Sequence, residues 1–389
     1  MAALNAHTSF SELIGQAKRV VVKAGSSLLS AAKDGALRQS WMGSLAEDLA
    51  QMRHGGADVL MVSSGAVALG RRALKLSGGA LALEQKQAAA AVGQPMLAGA
   101  WKEAFAPTGL VTAQALLTLE DTEQRRRWLN SRATLEALLA LGAVPIINEN
   151  DTVATDEIRY GDNDRLAARV AQMSGADVLI LLSDIDGLWS CDPNRHADAQ
   201  PVPFVADMDG AIMDMAEGPN PDSQMGTGGM ITKLLAARMA VRHGCAVVLA
   251  SGVCANPIAA LHQGARHTLF APAKTVTDAR KTWIAGTIKP AGQVHIDKGA
   301  VQALGKGASL LPAGMTGCNG AFERGDVLAI LDENSREVGR GLASYNADEA
   351  ARICGLRSED IADTLGYSAR AAMIHRDDLV LLLTEGERS

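Results

Sequence analysis

Aromatic side chains are scarce in this chain, at 3% of 389 residues. Surfaces that stack bases or sugar rings need such side chains, so a nucleic-acid or carbohydrate platform is disfavoured. Cysteines are few: Cys191, Cys245, Cys254, Cys318 and Cys354, with no C-x-x-C pair and no zinc-finger spacing. An odd, scattered set reads as reduced cytosolic thiols. The eight histidines form no metal signature, and His262 and His267 stand isolated as structural residues. Basic charge is not in excess. The formal net charge is −6, which argues against nucleic-acid binding by bulk electrostatics. No apolar run approaches the ~20 residues that span a bilayer. The first residues lack a basic segment followed by an apolar one, being interrupted by Ser11, Glu12 and Gln16, so no signal peptide is expected. The expectation is a soluble, cytoplasmic protein with no membrane partner. The phosphate loop G-x-x-x-x-G-K-[ST] is also missing.

What is present is a series of short β-branched runs alternating with helical patterns. Arg19 to Ala24 (R-V-V-V-K-A) ends in Gly25-Ser26-Ser27, and Asp58 to Val62 ends in Ser63-Ser64-Gly65. Leu110 to Gln114 forms a short strand. Ala143 to Ile147 runs into Asn148-Glu149-Asn150-Asp151, Asp177 to Leu182 into Ser183-Asp184, and Ala246 to Ala250 into Ser251-Gly252. Buried parallel strands look like this. Helices are expected at 41–54, 83–105 (with Gly93 and Pro95 interrupting), 122–141, 161–173 and from Met230 on. Residues 153–160 suggest a small hairpin. Strand, helix, strand in repetition predicts an open α/β sheet, and such sheets bind ligands beyond the carboxyl ends of their strands. The small and polar residues gather at those ends.

The stretch Gly226 to Lys233 (G-T-G-G-M-I-T-K) is a glycine-rich turn feeding a helix. Free N–H groups and the positive end of the helix dipole favour a phosphate there, and Lys233 can reach the same anion. Lys23 lies inside an apolar strand, where an ammonium is costly without an anion partner. Phosphoryl transfer needs alignment and charge neutralisation more than covalent help. Two lysines from different elements could supply both, and Asp184 could lie between them and hold the ammonium groups. The cluster Asn148, Asn150, Asp151, Asp162, Asn163 and Asp164 suits the ammonium and carboxylate of an amino acid, or Mg²⁺ through water. After Ala271-Pro272-Ala273-Lys274 the runs become short and turn-rich, as in a small mixed β domain with short helices at 298–304, 348–353 and 359–365. The boundaries read as 1–272 and 280–380, with a linker near 271–281. From Arg280 onward, 13 Lys and Arg face 15 Asp and Glu, a net of −2.

V-V-K-A-G-S-S, S-S-G-A, I-N-E-N-D, G-D-N-D, L-S-D-I-D-G-L-W and G-T-G-G-M-I-T-K follow one another in the order that resembles the amino-acid kinase family, and within it the branch that phosphorylates L-glutamate. R-K-T-W-I-A-G, G-A-S-L-L-P-A-G, Y-N-A-D-E and H-R-D-D resemble the PUA domain that many bacterial members of that branch carry. The resemblance implies an αβα sandwich with a mainly parallel sheet. It implies transfer of the ATP γ-phosphoryl, with Mg²⁺, to the side-chain carboxylate of L-glutamate. The product is the first intermediate of proline synthesis, and proline is the implied feedback inhibitor. Lys23 and Lys233 would contact phosphates, with Asp184 orienting them. Ser183, Asp184 and Thr227, Gly228, Gly229, Met230, Ile231, Thr232 and Lys233 would line the nucleotide. Ser64, Asp151 and Asn163 would hold glutamate. Ser183 and Trp189 stand where the family more usually has Thr and Tyr, which keeps the type of contact. A homodimer or tetramer, and transient contact with the downstream glutamyl phosphate reductase, are further implications. A sister kinase acting on acetylglutamate, aspartate or a carbamate would share this fold. RNA binding by the C-terminal segment is not expected, because it lacks both a basic face and aromatic platforms.

Overall fold

The computed structural model describes residues 4–30, 36–76, 79, 81–153, 163–193, 195–216, 229–272, 284, 290–367 and 371–382. The hairpin expected at 153–160 falls almost wholly outside them. The chain divides into two compact units, Met1–Val276 and Thr277–Ser389.

Among its described residues the first unit has ten strands: β1 Arg19–Ala24, β2 Asp58–Ser63, β3 Thr112–Leu117, β4 Val144–Glu149, β5 Val178–Ser183, β6 Leu188–Trp189, β7 Pro201–Val202, β8 Phe204–Val205, β9 Ala246–Ser251 and β10 His267–Phe270. Eight of them form one sheet in the order β3-β4-β2-β1-β5-β9-β10-β8, and β6 pairs with β7 as a separate ribbon. All neighbours in the large sheet run parallel except β9 and β10. From central β1 the chain builds outward to β2 and β4 on one side, then returns to β5 and β9 on the other. Strand order reverses between β1 and β5, and that crevice is where such sheets place ligands.

Strand alternation assigns each residue to a layer. Val20, Val22 and Ala24 of β1 join the core that holds Trp41, Leu45, Leu97 and Trp101. Val21 faces the opposite core, with Leu166, Val170, Leu234 and Ala237. Helices Gln39–His54 and Leu83–Phe105 cover the first face, and Arg125–Ala140, Asn163–Ser174 and Met230–Arg242 the second. The result is the expected three-layer αβα sandwich. Lys23 shares the parity of Val21 and is thereby aimed at the second face.

Two expectations about helices need correction. Leu83–Phe105 is continuous through Gly93 and Pro95. Gly93 is there because the helix Ala66–Ala73 crosses almost in contact with it: a Cβ at Gly93 would lie 1.8 Å from the Ala66 carbonyl oxygen, and one at Gly70 1.7 Å from that of Ala89. Both obstacles are backbone and cannot swing away. Gly93→Ala is therefore expected to cost about 2–3 kcal/mol by overpacking, read as a lower urea midpoint. A midpoint equal to the parent's would mean that the two helices separate freely. The helix expected at 122–141 is two, Leu119–Glu123 and Arg125–Ala140. A Thr118/Asp121 capping box starts the first, and extended Gln124 divides them.

The second unit holds a five-stranded mixed sheet: β11 Gly292–Ile296, β12 Met315–Asn319, β13 Val327–Leu331, β14 Glu337–Leu342 and β15 Leu379–Leu381, in the order β12-β11-β13-β14-β15. β11 and β13 are parallel and the remaining pairs antiparallel. Its own core is packed around Phe322, Tyr345 and Ile374.

Candidate active site

The carboxyl ends of β4, β2, β1 and β5 lie side by side, and each delivers a polar group. Lys23, near the end of β1, is only 5% exposed. Its ammonium lies beside Gly25, where an added Cβ would come within 3.6 Å of Nζ. Lys233 sits in the second turn's opening position of Met230–Arg242 and is also buried. That helix begins at extended Gly229, and among the described residues no side chain caps it; a helix start of this kind presents N–H groups that favour an anion. Thr232 uses its hydroxyl locally, donating to the Gly229 carbonyl at 2.8 Å.

Between the two ammonium groups stands Asp164. Its Oδ1 lies 2.5 Å from Lys23 Nζ and its Oδ2 3.1 Å from Lys233 Nζ. Asp164 is fully buried, in the first turn of the helix Asn163–Ser174. Burial alone would raise its pKa, but the charges of Lys23 and Lys233 and their hydrogen bonds outweigh it and hold the carboxyl below the ordinary aspartate value. The helix dipole favours an anion at that position as well. The carboxylate that lies between the two lysines, expected to be Asp184, is thus Asp164. Asp184 is exposed, and its Oδ1 accepts from the Ser183 hydroxyl at 2.9 Å. The helix Asn163–Ser174, by contrast, packs on the face of the sheet toward which Lys23 is aimed.

The neighbouring residue organises the other half. Asn163 Nδ2 reaches Ser64 Oγ at 2.8 Å, Asn148 Oδ1 at 2.8 Å and the Ser63 carbonyl at 3.3 Å. It ties the ends of β2 and β4 together and brings two expected site residues, Ser64 and Asn163, into contact. Asp151 is buried just beyond β4. The strand ends are held from behind: Trp101 Nε1 donates to Ser63 Oγ at 2.9 Å, and Gln94 Nε2 to the Glu149 carbonyl at 3.0 Å. Gly65 takes φ +108°, the left-handed turn that lets β2 feed the helix Ala66–Ala73 directly after Ser64.

On the β5 side, Trp189 Nε1 donates to Asp186 Oδ1 at 2.9 Å, and the Arg266 guanidinium lies 4.9 Å from the Trp189 ring centroid and 3.1 Å from Asp186 Oδ2. Met230 is half-buried and Ile231 exposed at the opening of their helix. Thr227 and Gly228 lie outside the described residues. Asn148 and Asp164 were visible in the sequence as members of the amide and carboxylate cluster. Nothing in their spacing distinguished the lysine partner from its neighbours. Asp186 lies in the L-S-D-I-D-G-L-W motif without having been singled out, and Arg266 carried no sequence signal.

A buried lysine–aspartate–lysine cluster at the switch point of an αβα sandwich suits transfer of a group with spread negative charge. The amino acid kinase family model matches residues 18–251, and the PUA domain model residues 292–365. That is the class this fold defines. The glutamate 5-kinase of Rhizobium etli is 54% identical over 368 residues, 95% of this chain and 94% of its own. That of Agrobacterium fabrum is 55% identical over 363 residues, 93% and 92% of the two chains. Glutamate 5-kinase 1 of Rhizobium meliloti is 54% identical over 371 residues, 95% and 94%. The chain belongs to the amino acid kinase family, and within it to the glutamate 5-kinases; it is a kinase.

Proposed function

We propose that the enzyme transfers the γ-phosphoryl group of ATP to the side-chain carboxylate of L-glutamate, giving L-glutamyl 5-phosphate, in the cytoplasm, as the first step of proline synthesis. The observation that carries this reading is Asp164 clamped between Lys23 and Lys233. Two fixed ammonium groups from different elements neutralise charge on the transferred phosphoryl group as it passes between oxygens. Asp164 keeps both aimed. The acceptor is a carboxylate, ionised at neutral pH, so no general base is needed, and catalysis falls on alignment and electrostatics. The glycine-rich stretch of Thr227, Gly228 and Gly229, the helix start at Met230, Ile231 and Thr232, and Ser183 with Asp184 hold the nucleotide.

Mg²⁺ takes oxygen ligands, commonly one or two carboxylates with substrate phosphates. Both Asp164 oxygens face lysines, so that carboxylate is committed; exposed Asp184 fits a largely hydrated Mg²⁺ carried by the triphosphate. When bound, Mg²⁺ neutralises the β- and γ-phosphates.

Ser64 and Asn163 supply hydroxyl and amide contacts for glutamate, and Asp151 a carboxylate for its α-ammonium. Asn163→Ala is expected to raise KM for glutamate about tenfold or more, the worth of one or two hydrogen bonds to a charged group, and to leave KM for ATP within a factor of about two. Equal rises in both would assign Asn163 to general support of the strand ends. Proline, which keeps the α-carboxylate and α-nitrogen of glutamate in a five-membered ring but has no side-chain carboxyl, would inhibit at or near the same residues. A homo-oligomer and a passing contact with the reductase that consumes the acyl phosphate complete the reading.

A further inference from the structure

The loop that joins β6 to β7 carries a second cluster, which shares no residue with the lysine–aspartate clamp. Cys191 Sγ, a ring nitrogen of His196 and a carboxylate oxygen of Asp198 all lie within 4.8 Å of one another. We propose that these three side chains form a binding site for a borderline-soft divalent cation of the Zn²⁺ class. Thiolate, imidazole and carboxylate are the ligand types such ions take, and three protein ligands with an open position is a common arrangement for exchangeable zinc. Metal–ligand bonds of ~2.0–2.3 Å put tetrahedral ligand atoms roughly 3.3–3.8 Å apart. The present separations, none above 4.8 Å, come into that range by side-chain rotation on a loop.

The loop backbone is already closed. Ser190 N–H donates to the Gln200 carbonyl at 2.8 Å, and Gln200 N–H to Ser190 Oγ at 3.0 Å. Inside that closure His196 N–H donates to the Asp192 carbonyl at 3.0 Å, and Ala199 N–H to the His196 carbonyl at 3.2 Å. These turns bring positions 191, 196 and 198 to one side before any ion arrives, which lowers the ordering cost of binding. The only basic side chain among the described residues of the loop besides His196 is Arg195, and its guanidinium lies 3.4 Å from Asp192 Oδ2. His196 and Asp198 are exposed and Cys191 half-buried, so an ion has direct access. Cys-x₄-His-x-Asp is not a recognised zinc spacing, which is why the sequence suggested no metal site; the turn, not the spacing, assembles it. Hard Mg²⁺ prefers oxygen ligands and does not compete for the thiolate. On binding, the thiol proton leaves to solvent and a metal–sulfur bond forms, so affinity falls as pH is lowered.

The test is titration of the EDTA-treated full chain with Co²⁺ alone. The expected result is one Co²⁺ per chain with thiolate-to-cobalt charge-transfer absorption, displaced by Zn²⁺. Cys191→Ser should abolish that absorption, while Cys254→Ser, at an exposed thiol elsewhere, should leave it. Asp198→Asn should keep the absorption and weaken Co²⁺ binding about tenfold or more. Absence of the band, its survival in Cys191→Ser, or unchanged affinity in Asp198→Asn would each overturn the assignment.

Discussion

Lys23→Ala and Lys233→Ala are each expected to lower kcat at least ~100-fold, or about 2.7 kcal/mol of lost transition-state stabilisation. The charge each supplies is fixed before the reaction begins. Lys23 is anchored in β1 with 5% exposure, and both ammonium groups are held by one carboxylate at 2.5 and 3.1 Å. Such pre-set charges stabilise what develops in the transition state without reorganising solvent. Because the two act as one unit, the double variant should lose much less than the product of the single losses. Turnover within a few-fold of the parent in either single variant would remove that lysine from the mechanism.

Asp164→Ala is expected to be the most damaging change to stability. It leaves two buried ammonium groups facing each other with no compensating anion, and breaking a buried ion pair in this way costs roughly 3–5 kcal/mol. Asp164→Asn keeps the shape and removes the charge, which separates positioning from packing. The sign of the pH dependence follows from the direction of the shift. The folded carboxyl titrates below the ordinary aspartate value, so its ionised form favours the folded state. That contribution is fully present above about pH 3.9, the value of an unperturbed aspartate, and is lost as pH falls through the lower folded pKa. Parent and Asp164→Asn urea midpoints should therefore differ at neutral pH and converge in strong acid. A gap that persists unchanged into acid would mean that the charge of Asp164 is not what stabilises the cluster.

The layers of the fold were legible because the strands advertise themselves. Runs such as V-V-V-K-A and V-L-I-L-L are apolar on both faces, and only a parallel sheet covered on both sides demands that. Both lysines were legible for the same reason: an ammonium inside an apolar run, or next to a glycine turn, has few uses other than an anion. The partner carboxylate was not. Asp164 and Lys233 are 69 residues apart, and what joins them is the packing of Asn163–Ser174 and Met230–Arg242 on the same face of the sheet. Asp184 was expected in that place because it follows a strand, but a residue's place at a strand end does not tell which helix turn lies above the neighbouring strand. Gly93 was misread as a break for a similar reason. Its small size serves a helix crossing, and crossings are decided by distant backbone. Asn163 is a further case, since an asparagine at a helix start has an ordinary local use, and only the converging ends of β2 and β4 give it three partners.

The most direct test of the central claim is ADP release from MgATP by the purified enzyme. L-glutamate, acetylglutamate, aspartate and carbamate are offered as separate acceptors, with hydroxylamine present to trap an acyl phosphate. The account predicts hydroxamate from L-glutamate alone, suppressed by proline and lost in Lys23→Ala and Lys233→Ala. Hydroxamate or ADP formed with another acceptor and not with L-glutamate would contradict the assigned substrate while leaving the lysine–aspartate clamp in place.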